Sequence, residues 1–279
     1  MNFKSNKTNI AWDNLYKRLE NDGLLQDTKH PTRKAIYYRI ISVAAVFVAC
    51  IISGLYFSHT QDLPQKEMCE VYNEANAPIL ATMLEDGSIV YLSQQTSLKY
   101  PDHFDDDNRT VALKGDAFFD IRQQTDRPFV IETEAAKVEV TGTSFSIKNT
   151  NNSMFLLSVR EGSVKVTKKS DLQAIDVKAG VTILLDVEKG TQLINSEAIF
   201  DDYFKRLHFK DEFLKNVVNI INIHSGEIKL KIEPDIEMRS LTYTLPEKID
   251  IHEVAGLICL ALDLQHEQKD NTVYISKKK

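Results

Sequence analysis

The chain has 279 residues, of which 43% are hydrophobic and 27% charged, with 34 Lys/Arg against 40 Asp/Glu and a formal net charge of −6. That length leaves room for two folded units, and the composition excludes a disordered chain and a multi-span membrane protein. Three cysteines in unrelated settings, Cys50, Cys69 and Cys259, supply no disulfide framework.

In chain order, residues 1–34 read as a tail with one short amphipathic helix. Trp12, Leu15, Tyr16 and Leu19 fall at i, i+3, i+4 and i+7, with Thr8 or Asn9 as N-cap and Gly23 as stop. The tail offers this stripe little besides Leu24 and Leu25 to pack against, so a partner protein or the inner membrane surface must cover it.

Residues 35–58 read as a transmembrane helix. Ile40 to Phe57 carries no charge, and 18 residues at ~1.5 Å each span about 27 Å, close to the ~30 Å hydrocarbon layer. Tyr37, Tyr38 and Tyr56 mark its interfaces. Up to Arg39 there are eight Lys/Arg against four acids, a net of +4, which leaves −10 for the rest. Basic flanks stay cytoplasmic, so the N-terminus is expected inside and the bulk, in a bacterial cell, in the periplasm.

Residues 59–78, polar and acidic with two prolines, read as a periplasmic tether. From 79 to 195 the apolar residues alternate: Ile89/Tyr91, Val111/Leu113, Phe129/Ile131, Val138/Val140, Phe145/Ile147, Phe155/Leu157/Val159, Val164/Val166 and Val181/Ile183/Leu185. These are half-buried strands separated by Asp86-Gly87, Glu161-Gly162, Ala179-Gly180 and Lys189-Gly190, an all-β unit that is a sandwich, a roll or a solenoid-like stack. Residues 200–279 read as a small α/β domain of two βαβ repeats. Helices are expected over 211–225, burying Leu214, Val217, Val218 and Ile221, and over 250–264, where Asp250 to Glu253 resembles a capping box.

Catalytic patterns are missing. Seven histidines are scattered, His252-Glu253 lacks the second histidine of a zinc helix, and no nucleophile elbow, phosphate loop or Cys-x-x-Cys occurs. Asp105, Asp106 and Asp107 lack the alternation of a calcium loop, and Gly142-Thr143-Ser144 reads as a strand start rather than a nucleophile. Neither enzymatic activity, metal nor cofactor is expected, and the acidic bulk disfavours nucleic acid.

The β unit contains Leu84-x-Asp86-Gly87-Ser88-x-Val90-x-Leu92, Ser97-Leu98-x-Tyr100-Pro101-x-x-Phe104, Arg109-x-Val111-x-Leu113-x-Gly115-Asp116-Ala117-Phe118-Phe119, Arg127-Pro128-Phe129 and Val138-x-Val140-x-Gly142-Thr143-x-Phe145. Over residues 80–190 this run resembles the FecR family of bacterial transmembrane anti-sigma factors. The C-terminal repeats are similar to the domain that ends Bacteroidetes-type members, an STN-like signalling domain. The resemblance implies that a ligand-loaded TonB-dependent outer-membrane transporter presents its periplasmic signalling domain to the C-terminal domain, and that the message reaches a cytoplasmic ECF sigma factor. Trp12, Leu15, Tyr16 and Leu19 would then bind sigma, while Asp86, Gly87, Ser88, Arg109, Gly115, Phe119, Arg127, Pro128, Phe129, Gly142, Thr143 and Phe145 would be structural. FecR-type tails commonly form a multi-helix domain, and this tail is much shorter. The alternative reading is a membrane-anchored periplasmic module that binds a glycan or another envelope protein.

Overall fold

A computed structural model describes residues 5–24, 41, 43–54, 67–150, 154–186, 190–194 and 200–278. The chain divides into two compact units, Met1–Gln65 and Lys66–Lys279.

In the first unit, α1 (Ser5–Asn21) is a single helix. It already includes Ser5, ahead of the Thr8 or Asn9 cap expected. It ends as expected at Gly23, whose φ of +66° lets the Leu24 amide turn back to the Leu19 carbonyl at 3.0 Å. Residues 43–54 are helical (α2), with Val43, Val46, Phe47, Ile51 and Ile52 exposed. Among the described residues no helix is long and apolar enough to cross a membrane. Residues 35–40, 42 and 55–58 of the expected span lie outside those described.

The second unit opens with β1 (Met68–Asn73), part of the stretch expected as tether. Its Val71 packs on the core, and β1 pairs antiparallel with β4 (Thr96–Pro101) along its whole length. Sheet one continues through β5 (Arg109–Lys114), β7 (Phe129–Glu132), β8 (Ala136–Val140), β11 (Ser163–Lys168) and β12 (Ala174–Lys178). Facing it, sheet two runs in the order β14 (Gly190–Ile194), β13 (Thr182–Asp186), β10 (Met154–Glu161), β9 (Ser144–Thr150), β6 (Ala117–Asp120), β3 (Ile89–Leu92), β2 (Ile79–Met83), β15 (Leu207–Phe213) and β17 (Ser240–Thr244). Of the three all-β architectures, the alternation therefore closes as a sandwich. Leu98, Val111, Phe129, Ile131, Val138 and Val166 of sheet one meet Leu92, Phe119, Phe145, Ile147, Phe155 and Leu157 of sheet two in one core. Each such side chain contributes roughly 1.5–3 kcal/mol by leaving water.

Two expectations change. β3 and β6 are buried on both faces, not half-buried: Val90, Leu92, Ala117 and Phe119 point into the sandwich, whereas Ile89, Tyr91 and Phe118 enter a second core. That core is closed by α3 (Leu214–His224), α4 (Ile251–Leu262) and a third sheet of β16 (Lys229–Ile232), β19 (Thr272–Lys277) and β18 (Leu264–Lys269). Residues 200–278 accordingly share sheet two and its outer face with the β unit. Nor are there βαβ units within one sheet. The first strand of each repeat, β15 and β17, pairs antiparallel in sheet two, while β16 and β19 pair parallel in sheet three. The physical cause is the β2 edge, to which β15 adds in parallel at Leu207 and His208, together with the apolar outer face that α3 must cover.

Candidate functional site

The tail stripe is where the sequence placed it. On α1, Trp12 is 63%, Tyr16 64% and Leu15 46% exposed and Leu19 is half-buried, while Ile10, also exposed, lies on the opposite side of the helix. One helix face thus holds two aromatic rings and Leu15 in solvent with Leu19 half-buried among them, the pattern of a helix that docks into a groove.

The twelve motif residues fall in the sandwich, where most of them form one buried assembly. The β2–β3 turn holds Asp86, whose carboxylate accepts from the Ser88 amide at 3.0 Å and the Ser88 hydroxyl at 2.8 Å, while Gly87 takes φ +83°. Arg109, at the start of β5, is completely buried and reaches Asp86 at 2.7 Å. Its Nε donates to the Arg127 carbonyl at 2.9 Å, Nη1 donates also to the Arg122 carbonyl at 3.0 Å, Nη2 is buried without a partner, and the guanidinium lies 5.3 Å from the Phe129 ring centre. The Arg109 amide donates to the Pro128 carbonyl at 2.9 Å. Arg109 therefore ties the β2–β3 turn to the chain entering β7, its charge matched by Asp86 and by the negative face of Phe129.

Further along, Phe119 and Phe145 stack across β6 and β9 at 5.3 Å, and Phe119 lies 6.4 Å from Phe129. The Thr143 hydroxyl donates to the Ser163 carbonyl at 2.9 Å, which occupies it structurally. A Cβ on Gly142 would sit 2.6 Å from the Gln123 Cα, and one on Gly115, at φ +108°, 2.5 Å from Thr96 Oγ1. These positions are closed to any side chain.

Three polar groups around sheet two and its outer layer carry chemistry that no sequence pattern announced. The Tyr91 hydroxyl is 2.8 Å from His224 Nε2, inside a cage with Phe204, whose ring centre is 4.9 Å from that of His224. Burial pushes the Tyr91 phenol up and the His224 imidazole down. Glu212, buried at the bulge of β15, accepts from Thr82 at 2.9 Å and from Asn216 at 2.6 Å. Asn222 bonds both the amide and the carbonyl of Leu230, each at 2.8 Å. Only burial of polar groups at strand or helix ends would have flagged them.

His252 is an exposed first-turn residue of α4, with its amide bonded to the Asp250 cap at 2.8 Å. Among the described residues no His/Cys/Asp/Glu group has the arrangement to hold a metal ion. A cavity of about 480 Å³ opens at the hairpin end of the sandwich, lined by Glu134, Asn149, Met154, Lys169, Ser170 and Asp171 among others. Lys169 there is paired with Glu132 at 2.7 Å.

Among curated proteins, no relative matches this chain. Two crystal structures of a "putative anti-sigma factor" from Parabacteroides distasonis are similar to it at 21% and 22% identity, each with a TM-score of 0.46, covering 76% of this chain and 100% of that one. The family model described as "FecR protein" matches residues 72–165. That match takes in the strands from β2 through β10, with the Asp86–Arg109 pair and the Phe119–Phe145 stack at their centre.

Proposed function

We propose that this chain is a single-pass inner-membrane anti-sigma regulator, with its tail in the cytoplasm and residues 59–279 in the periplasm. The observation that carries this reading is the FecR match over 72–165 on a chain that also presents an amphipathic helix near its N-terminus with Trp12, Leu15 and Tyr16 exposed. The tail helix binds an ECF sigma factor in a groove, through Trp12, Leu15, Tyr16 and Leu19. A TonB-dependent outer-membrane transporter offers its periplasmic signalling domain to the C-terminal α/β layer, and the apolar segment Ile40 to Phe57 links the two events. The regulator has no catalytic step.

The test is co-purification of the tagged full-length chain from cells induced for the target genes. A sigma factor should accompany the wild type and be lost from Trp12→Ala plus Leu15→Ala. Recovery of no sigma factor from either would count decisively against the reading. The hairpin-end cavity favours a second reading, an anchored envelope-binding module without a sigma partner. Under that reading, deleting the tail leaves transcription unchanged, whereas substitutions at Lys169 and Ser170 abolish function.

A further inference from the structure

We propose that β17 is a self-pairing edge, through which two copies of this chain join antiparallel about Thr242. This goes beyond the anti-sigma reading and does not depend on it.

β17 (Ser240–Thr244) ends sheet two, with β15 on one side and no described strand on the other. The Leu245 amide bonds the Leu207 carbonyl at 2.8 Å, and Phe209 stands opposite Tyr243. Because backbone direction alternates along an antiparallel strand, the N–H and C=O groups of Thr242 and Thr244 point away from β15, toward the open edge. An edge of this kind is a template for another strand unless charge, proline, a bulge or a cover blunts it.

Of the other edges among the described residues, all but β14 are blunted or charged where self-pairing would need them neutral. On β16, Asn222 occupies both backbone groups of Leu230. In β12 the central residue is Asp176, which would face its own copy across a symmetric pairing; β18 carries Glu267 and Lys269, and β1 carries Glu70. β17 reads Ser-Leu-Thr-Tyr-Thr, with neither charge nor proline and with β-branched residues at both outward-directed positions. β14 is the remaining uncharged edge and serves as the comparison.

The register is self-complementary. An antiparallel pair centred on Thr242 sets Thr242 against the partner's Thr242, and Ser240 against the partner's Thr244, all on the hydroxyl face. Leu241 then meets the partner's Tyr243 on the face toward α3, an aliphatic-aromatic pair of the kind that stabilises sheets. Thr242 and Thr244 occupy hydrogen-bonded positions of such a pair, which matches the direction of their free backbone groups. Within the same copy, among the described residues, Asp211 lies 3.2 Å from Thr242 Oγ1 and His208 Nδ1 lies 2.8 Å from Thr244 Oγ1. A five-residue pairing buries much less than the ~1,200–2,000 Å² of a permanent interface, so the dimer is transient in dilute solution.

The test uses the purified full-length chain in detergent, with the exposed Cys50 replaced by Ser. Across the symmetry axis the Cα atoms of a hydrogen-bonded pair lie roughly 5.5 Å apart, within disulfide range. Thr242→Cys should therefore give a covalent dimer on mild oxidation, while Gln192→Cys on β14 and Glu267→Cys on β18 stay monomeric. In sedimentation equilibrium the chain should rise about twofold in mass with concentration. Thr242→Lys should abolish that rise while the melting transition stays cooperative, since its side chain is exposed. The proposal is overturned by a wild type that remains monomeric at the highest concentration, by equal cross-linking from Gln192→Cys, or by Thr242→Cys that in cells links to a different protein and never to itself.

Discussion

Tyr91 Oη and His224 Nε2 lie 2.8 Å apart, and this bond joins β3, a strand buried on both faces, to the last turn of α3. It fastens the C-terminal layer to the sandwich at the margin of the second core, from the buried Tyr91 to the half-buried His224.

The bond makes stability fall in acid. Burial holds His224 below the usual histidine range; among its charged neighbours Asp120 opposes that shift and Arg160 adds to it. A histidine whose folded pKa lies below its unfolded value contributes stability that is fully present above the unfolded value of ~6.5 and is lost as pH falls through the folded one. His208, lowered by burial and by Lys210, acts in the same direction, whereas the exposed His103, raised by its bond to Glu85, acts in the opposite one. Thermal melts of the chain should shift downward as pH drops below about 6.5, and His224→Gln should flatten that slope. Tyr91→Phe should cost about 1 kcal/mol at neutral pH by leaving the imidazole unpaired. A pH-independent melt in the wild type would remove the histidine from this role.

The Asp86–Arg109 pair predicts an asymmetric mutational response. Both side chains are buried, at 1% and 0% exposure. Asp86→Ala leaves a buried guanidinium without its counter-ion and should cost roughly 3–5 kcal/mol, seen as a lower urea midpoint at constant slope. Asp86→Leu combined with Arg109→Met removes both charges and should be markedly less damaging than Asp86→Ala alone. Equal losses would show that the turn geometry, and not the charge, sets the cost.

The legibility of this chain divides along burial. The alternation in β5, β8 and β11 reports one buried face, and the helices of the C-terminal part were predicted to within a few residues because their stripes and the Asp250 cap are local signals. β3 was misread as half-buried although Ile89-Val90-Tyr91-Leu92 is an unbroken apolar run, the mark of a strand covered on both sides. Its second cover comes from residues more than a hundred positions away, and no local pattern specifies which edge β15 will join. The motif residues were quotable by spacing, but that Asp86 and Arg109 touch across 23 positions is a property of the folded sandwich.

Gly115 and Gly142 should tolerate no side chain. Gly115→Ala meets both a positive φ and Thr96 Oγ1, and Gly142→Ala meets the Gln123 backbone. Strain of that kind costs on the order of 1–3 kcal/mol. Differential scanning calorimetry should show both below the wild type. By contrast Gly226→Ala, with open space at its Cβ position, should leave the transition in place.

Asn222 guards the edge of the third sheet, and its loss should be felt in two separable ways. Its amide group donates to the Leu230 carbonyl and accepts from the Leu230 amide, so it takes the place a neighbouring strand would hold. Asn222→Ala leaves two backbone groups of β16 unpaired beside the buried Leu230 and should destabilise the fold by about 1–3 kcal/mol. It also opens Lys229–Ile232 as a pairing template, so light scattering on mild heating should rise before the melting midpoint is reached. Restoring the fold with osmolyte without suppressing the scattering would separate the exposed edge from simple instability, because osmolytes favour burial and leave an open edge open. Asn222→Asp keeps the acceptor for the Leu230 amide but turns the donor into a second acceptor facing a carbonyl, and it should therefore scatter nearly as much as Asn222→Ala.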